Sequence, residues 1–222
     1  MTQFLKNHLP IYFLAALLVL YLAILSFDFL STPDYRWLSE LKFTSILLCF
    51  LLAALLYQTS TNQKDSRFVV IGLFFTVIAD VNLVLVNAHV LGVFFFCLVQ
   101  LTYLRRLTMR YFWFSMIVVT TAILFAFFIS SQTLYVLAAL YAFLILSVTT
   151  ATWRSKLPRF NKRCASWGML LFILCDLHVA LSNQLPASHG YSEMASDLIW
   201  LFYLPSQVLL AMSGWYRWQN YT

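Results

Sequence analysis

The chain has 222 residues, 62% of them hydrophobic and 10% charged, with a formal net charge of +6 and a mean hydropathy of +0.82. A soluble domain of this length has no use for so much apolar surface, which excludes a soluble enzyme or binding module and leaves a multi-span membrane protein. The positive charge does not point to nucleic acid, because the basic residues stand in short segments between apolar runs, as membrane flanks do.

A run of ~20 apolar residues crosses the hydrocarbon core. On that criterion the sequence predicts eight spans, at 9–29, 41–59, 68–87, 90–106, 111–130, 132–152, 164–183 and 196–215, in a single all-α transmembrane domain over 1–222. The first follows Lys6 in the manner of a signal peptide, but its apolar run is too long and lacks a small-residue cleavage site, so it is read as a span. The segments 31–40 and 184–195 are the longest outer loops, with Pro33 and Pro186 expected to break the helices there. The inner loop 153–163 is basic and is expected to lie against anionic headgroups.

Eight spans place the N-terminus, three loops and the C-terminus on one side. That side holds Lys6, Lys64, Arg67, Arg105, Arg106, Arg110, Arg154, Lys156, Arg159, Lys162, Arg163 and Arg217, and the other holds only Arg36 and Lys42. Such a bias predicts both termini in the cytoplasm. The acids Asp28, Asp34, Glu40, Glu193 and Asp197 fall on the outer side. Trp37, Trp113, Trp153, Trp215 and Trp218 fall near span ends, as an interfacial belt requires. Cys49, Cys97, Cys164 and Cys175 show no paired spacing and read as free, small apolar residues.

Spans three and seven repeat one pattern. Arg67, Gly72, Asp80 and Asn87 share their spacing with Arg163, Gly168, Asp176 and Asn183. The two spans are four apart and run in the same direction, which predicts a parallel 4+4 arrangement of halves. Each Asp follows its Arg by thirteen residues, or ~20 Å into a core of ~30 Å. Both carboxylates are therefore expected at one depth. An ionisable group at that depth is costly and marks a functional site by default. If the two meet in one low-dielectric chamber they cannot both ionise cheaply, so one keeps its proton; a general acid then stands beside a general base. The plainer alternative is an acid bonded to a neighbouring hydroxyl, or paired with Lys42.

Other polar residues admit two readings each. Lys42, at the outer end of span two, either anchors a phosphate or snorkels to the interface. His178 is either a proton relay or a hydrogen-bonded packing residue, and Asn82 holds its place in the first half. Gln100 and Tyr103 on span four, with Tyr203 and Gln207 on span eight, either line a polar cavity or join helices. Asn87 and Asn183 would extend a polar stripe outward from the acids. The His and acid spacings supply no helical ligand pair for a metal. There is no P-loop, Rossmann glycine pattern, nucleophile elbow or C-x-x-C, so neither metal nor cofactor is expected.

From Lys42 to Gln207 the chain resembles the YhhN family of integral membrane proteins, whose animal members are lysoplasmalogenases. The resemblance rests on Gly72 with Asp80, Val81 and Leu83; on Gly92, Phe96 and Tyr103; on Gly168, Phe172 and Asp176; and on Tyr203, Pro205 and Gln207. The chain departs from the family pattern at Phe43, Ala79, Gln100 and Cys175, where Pro, Gly, His and Ser are usual. The resemblance implies cleavage of the vinyl ether bond of a lysoplasmalogen to a fatty aldehyde and a glycerophospho-alcohol. It implies Asp80 and Asp176 as catalytic residues. Lys42, Asn82, Gln100, Tyr103, His178, Asn183, Tyr203 and Gln207 are the candidate substrate-binding residues. The expected partners are a lysophospholipid and the bilayer, and the expected location is a bacterial inner membrane. Two competing readings remain: a proton-coupled carrier, or a structural protein whose acids are packing contacts. A carrier often has broken helices at its site, and spans three and seven hold no proline.

Overall fold

The computed structural model describes residues 2–29, 36–108, 133–184 and 190–216. Within them lie seven α-helices: α1 (Thr2–Phe29), α2 (Arg36–Thr59), α3 (Gln63–Asp80), α4 (His89–Leu107), α5 (Thr133–Arg154), α6 (Arg159–Gln184) and α7 (Gly190–Met212). There is no strand among the described residues. Helices α1 to α6 each carry a stretch long and apolar enough to cross a membrane, while the apolar part of α7 is the shorter Ser196–Met212. This is a multi-pass helical membrane bundle. Among the described residues there are six long spans and a shorter helix, against the eight spans expected of the whole chain; the expected span at 111–130, Pro33, Pro186, Trp113 and Trp218 lie outside the described residues.

Three loops are shorter than the sequence suggested: α6 runs to Gln184 and α7 starts at Gly190, inside the expected loop 184–195. Helix α2 starts at Arg36, inside the expected loop 31–40, and the inner loop 153–163 contracts to 155–158 because α6 begins directly after Pro158. Proline needs no amide partner at a helix start, and its carbonyl accepts from the Lys162 amide at 2.8 Å. Helix α3 opens with a side-chain cap: the Asn62 Oδ1 accepts from the Asp65 amide at 3.3 Å.

Neighbouring helices pack in chain order from α1 to α4; α4 then meets α5, and α5 meets α6. Helix α7 packs against α6 and also touches α1, α2 and α3. One core draws Leu17 and Ile24 from α1, Ile46 and Leu52 from α2, Leu73 from α3, Leu104 from α4, Val148 from α5, Phe172 from α6 and Leu204 from α7. Large apolar side chains on the outer faces stay exposed, among them Leu18, Leu22, Phe74, Leu146 and Trp167. Hydroxyls inside the spans return to the carbonyl four residues back, as Thr76 does to Gly72 at 3.2 Å and Thr152 to Val148 at 2.8 Å. With no water at that depth, this is the cheapest way to satisfy them.

Span three is broken after all, and without proline. Helix α3 stops at Asp80 and continues as a π-helical segment, Val81–Leu85. The Val86 amide closes on the Val81 carbonyl at 3.0 Å, and the Ala88 amide on the Asn82 carbonyl at 2.7 Å. Asn87 then turns the chain at φ 58°, a left-handed conformation that Asn tolerates better than most residues. Helix α4 returns so close that a Cβ at Gly92 would run into the Leu83 side chain. A second close approach seats Tyr103: a Cβ at Gly72 would stand 2.8 Å from its Cζ.

Arg106, expected from the sequence to be an inner-side flank, is not exposed. Its guanidinium is buried, donates to Asp65 Oδ2 at 2.8 Å through Nε, and reaches the Ser213 hydroxyl and carbonyl at 2.7 Å each. Asn161 donates to the carbonyls of Ser213 at 2.9 Å and Trp215 at 3.0 Å, and Ser66 donates to that of Gly214 at 2.5 Å. The orphan carbonyls that follow α7 are thus satisfied by side chains of α3, α4 and α6.

Candidate active site

Asp80 closes the last turn of α3 and is 3% exposed. Its Oδ2 accepts the Tyr203 hydroxyl of α7 at 2.7 Å. Asp176, half-buried on α6, accepts the Tyr141 hydroxyl of α5 at 2.6 Å on its own Oδ2. Each repeated acid therefore holds one tyrosine from another helix, Asp80 from α7 and Asp176 from α5, and the two carboxylates are not hydrogen-bonded to each other.

The two Asp–Tyr pairs are joined by aromatic rings. Tyr141 packs on Phe96 at 5.9 Å between centroids, Phe96 on Phe172 at 5.6 Å, and Phe172 on Tyr203 at 5.8 Å. Buried Cys175, beside Asp176 in sequence, lies within electrostatic reach of both carboxylates. Cys49 of α2 faces Asp80 in the same way.

Around the pairs stand polar atoms with nothing to bond. Gln100 and Gln207 are fully buried, and Tyr103 is 1% exposed. Both amide atoms of Gln100, the Tyr103 hydroxyl and the Gln207 Oε1 have no partner. Gln100 lies beside the Tyr141 hydroxyl without closing a hydrogen bond to it. The Gln207 amide nitrogen donates to the Ser206 hydroxyl at 3.1 Å. A buried unpaired polar atom costs ~1–3 kcal/mol, so each of the four needs an explanation. A polar ligand or water supplies one.

Pro205 lies two residues past Tyr203 inside α7. It has no amide for the Leu201 carbonyl, which instead accepts the Tyr21 hydroxyl of α1 at 3.0 Å. The helix that carries Tyr203 is thereby tied to α1.

Of the residues expected at the site, Asp80, Asp176, Gln100, Tyr103, Tyr203 and Gln207 belong to this buried polar set. Four others do not join it. Asn82 donates back to Ile78 at 2.7 Å, and exposed Asn183 to Val179 at 2.7 Å. The His178 Nδ1 sits 2.6 Å from the Leu174 carbonyl and its ring packs on Phe202 at 5.1 Å. All three are held within their own helix, by the carbonyl one turn back. Lys42 pairs with neither repeated acid; its Nζ bonds Asp28 Oδ1 at 2.7 Å and stands 5.4 Å over the Trp200 ring.

Tyr141, Asp28 and Trp200 were missed. Tyr141 had a signal: a phenol in mid-span needs an acceptor there as much as an acid needs a donor. Asp28 had none, because an acid at a span end normally faces water.

The fold is that of a polytopic helical membrane protein in which each of the two repeated acids holds a tyrosine. More narrowly, the YhhN family profile matches residues 40–214, and the chain belongs to that family. No curated protein and no solved structure matches the chain.

Proposed function

We propose that this protein is a membrane-embedded hydrolase that cleaves the vinyl ether bond of a lysoplasmalogen, giving a fatty aldehyde and glycerophosphoethanolamine or glycerophosphocholine. What carries the reading is the pair of intramembrane carboxylates, each engaged by a tyrosine through one oxygen. Protonation of the outer vinyl carbon leaves an oxocarbenium-like cation. One aspartic acid gives that proton, and the other, as carboxylate, faces the cation and takes a proton from the water that captures it. The resulting hemiacetal collapses to aldehyde and alcohol. The division of labour resembles the two carboxylates of glycosidases, with a different bond. Tyr203 and Tyr141 hold the acids in place; Gln100, Tyr103 and Gln207 offer the unpaired polar atoms for water or the glycerol oxygens.

The same reading includes eight spans in parallel 4+4 halves, both termini in the cytoplasm, and residence in a bacterial inner membrane. The halves are supported by matched packing: α3 lies against α4 as α6 lies against α7, and each repeated acid stands on the first helix of its pair.

The test is aldehyde release from lysoplasmalogen by purified protein. Asp80→Asn and Asp176→Asn should each keep the fold and lose ~10²-fold or more of turnover, the usual worth of a general acid or base. Wild-type protein that folds and releases no aldehyde sinks the hydrolase. A second reading, a proton-coupled lipid carrier, is favoured by the π segment next to Asp80, since carriers place irregular backbone at their sites. Proton-coupled lipid flux in liposomes without aldehyde formation would establish it.

A further inference from the structure

The ion pair at the end of the bundle where α1 runs toward α2 is incomplete. Lys42 Nζ and Asp28 Oδ1 are 2.7 Å apart, and the Asp28 side chain is 8% exposed. Its second oxygen, Oδ2, is buried and has no partner. Beneath the pair lies the Trp200 ring, 7% exposed, with Lys42 Nζ 5.4 Å from its centroid. Trp200 in turn meets Tyr203 edge-on at 5.3 Å, and Tyr203 donates to Asp80. A charged seat is thus connected to one of the Asp–Tyr pairs by two ring contacts.

What would complete it follows from charge. A lone cation that satisfied Asp28 Oδ2 would stand against Lys42, and a lone anion on Lys42 would stand against Asp28. A molecule that carries both signs in series satisfies both at once. A phosphodiester linked to an ammonium does this: the phosphate takes the Lys42 ammonium, and the ligand's ammonium takes Asp28 with the Trp200 face beside it. Tryptophan is the best aromatic surface for such a cation, and a phosphate accepts charge-assisted hydrogen bonds from lysine.

We infer that Asp28, Lys42 and Trp200 form the seat for a zwitterionic phospholipid headgroup, with Asp28 as the residue that distinguishes it from an anionic one. The inference rests on the lipid reading above and assigns the residues of its headgroup end. The headgroup opens the Lys42–Asp28 pair as it binds, and the glycerol then points along Trp200 and Tyr203 toward Asp80.

The test is equilibrium binding to full-length protein in nanodiscs, with a 1-O-alkyl lysophosphocholine as probe. It has no vinyl bond and is not turned over, so binding is read apart from hydrolysis. The comparison ligands are the matching alkyl lysophosphoglycerol, which lacks the ammonium, and soluble glycerophosphocholine. Asp28→Asn should weaken the choline lipid about tenfold, because its quaternary ammonium, which has no N–H to donate, loses the opposite charge it stands against, and should leave the glycerol lipid unchanged or tighter. Lys42→Met should weaken both. The double exchange Asp28→Lys with Lys42→Asp keeps an ion pair, so it should keep the melting temperature, yet it should not regain choline-lipid binding. If Asp28→Asn does not fold, Trp200→Leu serves instead and should lower the choline-over-glycerol preference. Wild-type protein that binds both lipids equally overturns the inference, as does a double exchange that binds like wild type. Competition by glycerophosphocholine at lipid-like concentrations overturns the lipid assignment. Binding with this preference but no aldehyde release keeps the seat and removes the hydrolase; aldehyde release with no headgroup preference does the reverse.

Discussion

Tyr203→Phe deletes one oxygen and leaves the volume of the site unchanged. Asp80, 3% exposed, loses the donor it holds at 2.7 Å. The ring contacts of residue 203 with Phe172 at 5.8 Å and Trp200 at 5.3 Å survive. In a soluble core, breaking a hydrogen bond to a charged group costs about 1.5–3 kcal/mol. Between membrane helices the average is ~0.6 and the upper end ~1.7 kcal/mol, because the unfolded chain in the membrane also finds partners. The membrane figure governs here, so the variant should lose about 1 kcal/mol, read as a small drop in melting temperature in detergent. Turnover should fall far more. A carboxyl freed from its tether no longer meets the vinyl carbon in line, and a misplacement of ~1 Å costs ~10²-fold. The measurement is initial aldehyde release at saturating lysoplasmalogen beside thermal unfolding of the same sample. A variant with normal turnover and a lower melting temperature would refute the reasoning, because Tyr203 would then be a packing contact only.

Tyr141→Phe removes the 2.6 Å donor of Asp176 and should repeat the Tyr203→Phe result, a loss of turnover with the melting temperature nearly kept; a reversed pattern would make the second acid structural. Arg106→Met leaves part-buried Asp65 without its cation but with the Tyr216 hydroxyl at 2.7 Å, a cost near the lower end of the ~3–5 kcal/mol of a broken buried pair; thermal unfolding should show the largest drop of any single variant proposed. Gly72→Ala forces a Cβ against the Tyr103 ring at 2.8 Å and should cost ~1–3 kcal/mol by overpacking. The same change in a Tyr103→Leu background should cost much less, and additive losses in that double-mutant cycle would disprove the contact.

Membrane class and the repeated acids were legible because they rest on strong terms: apolar length and the cost of an intramembrane charge. Helix ends were less legible. The sequence placed the start of α2 at 41, but the polar stretch from Arg36 is already helical, since helices extend past the hydrocarbon edge wherever the residues allow it. The π segment at Val81–Leu85 left no mark in composition; five apolar residues look the same in either helix, and tertiary packing of Leu83 onto Gly92 decides. Arg106 read as one more inner-side charge, because counting charges assigns a side and says nothing of burial. Lys42 shows the converse: its depth was evident, but its partner Asp28 lies fourteen residues back on another helix, and pairing across helices has no local signature.

The break after Asp80 bears on whether this site moves. A gate needs backbone that can exchange partners, and a helix opened for that purpose leaves carbonyls unsatisfied or facing water. Here the irregular turns are closed. The Val81 carbonyl accepts the Val86 amide, the Asn82 carbonyl accepts the Ala88 amide, and the Asn82 side chain fills the Ile78 carbonyl at 2.7 Å. The other defect near the site, the Leu201 carbonyl freed by Pro205, is taken by Tyr21. Both irregular stretches therefore fix a side chain, Asp80 in one case and Tyr203 in the other, and the carbonyls named are each engaged. A widened turn at a functional residue is a common way to re-aim a side chain without a hinge. Hydrogen exchange separates the two uses: a fixed site keeps the Val86 and Ala88 amides protected with and without lipid, whereas a carrier must release them in one of its two states. Fast exchange at those two amides, altered by a proton gradient, would move the protein out of the hydrolase class and into the carriers.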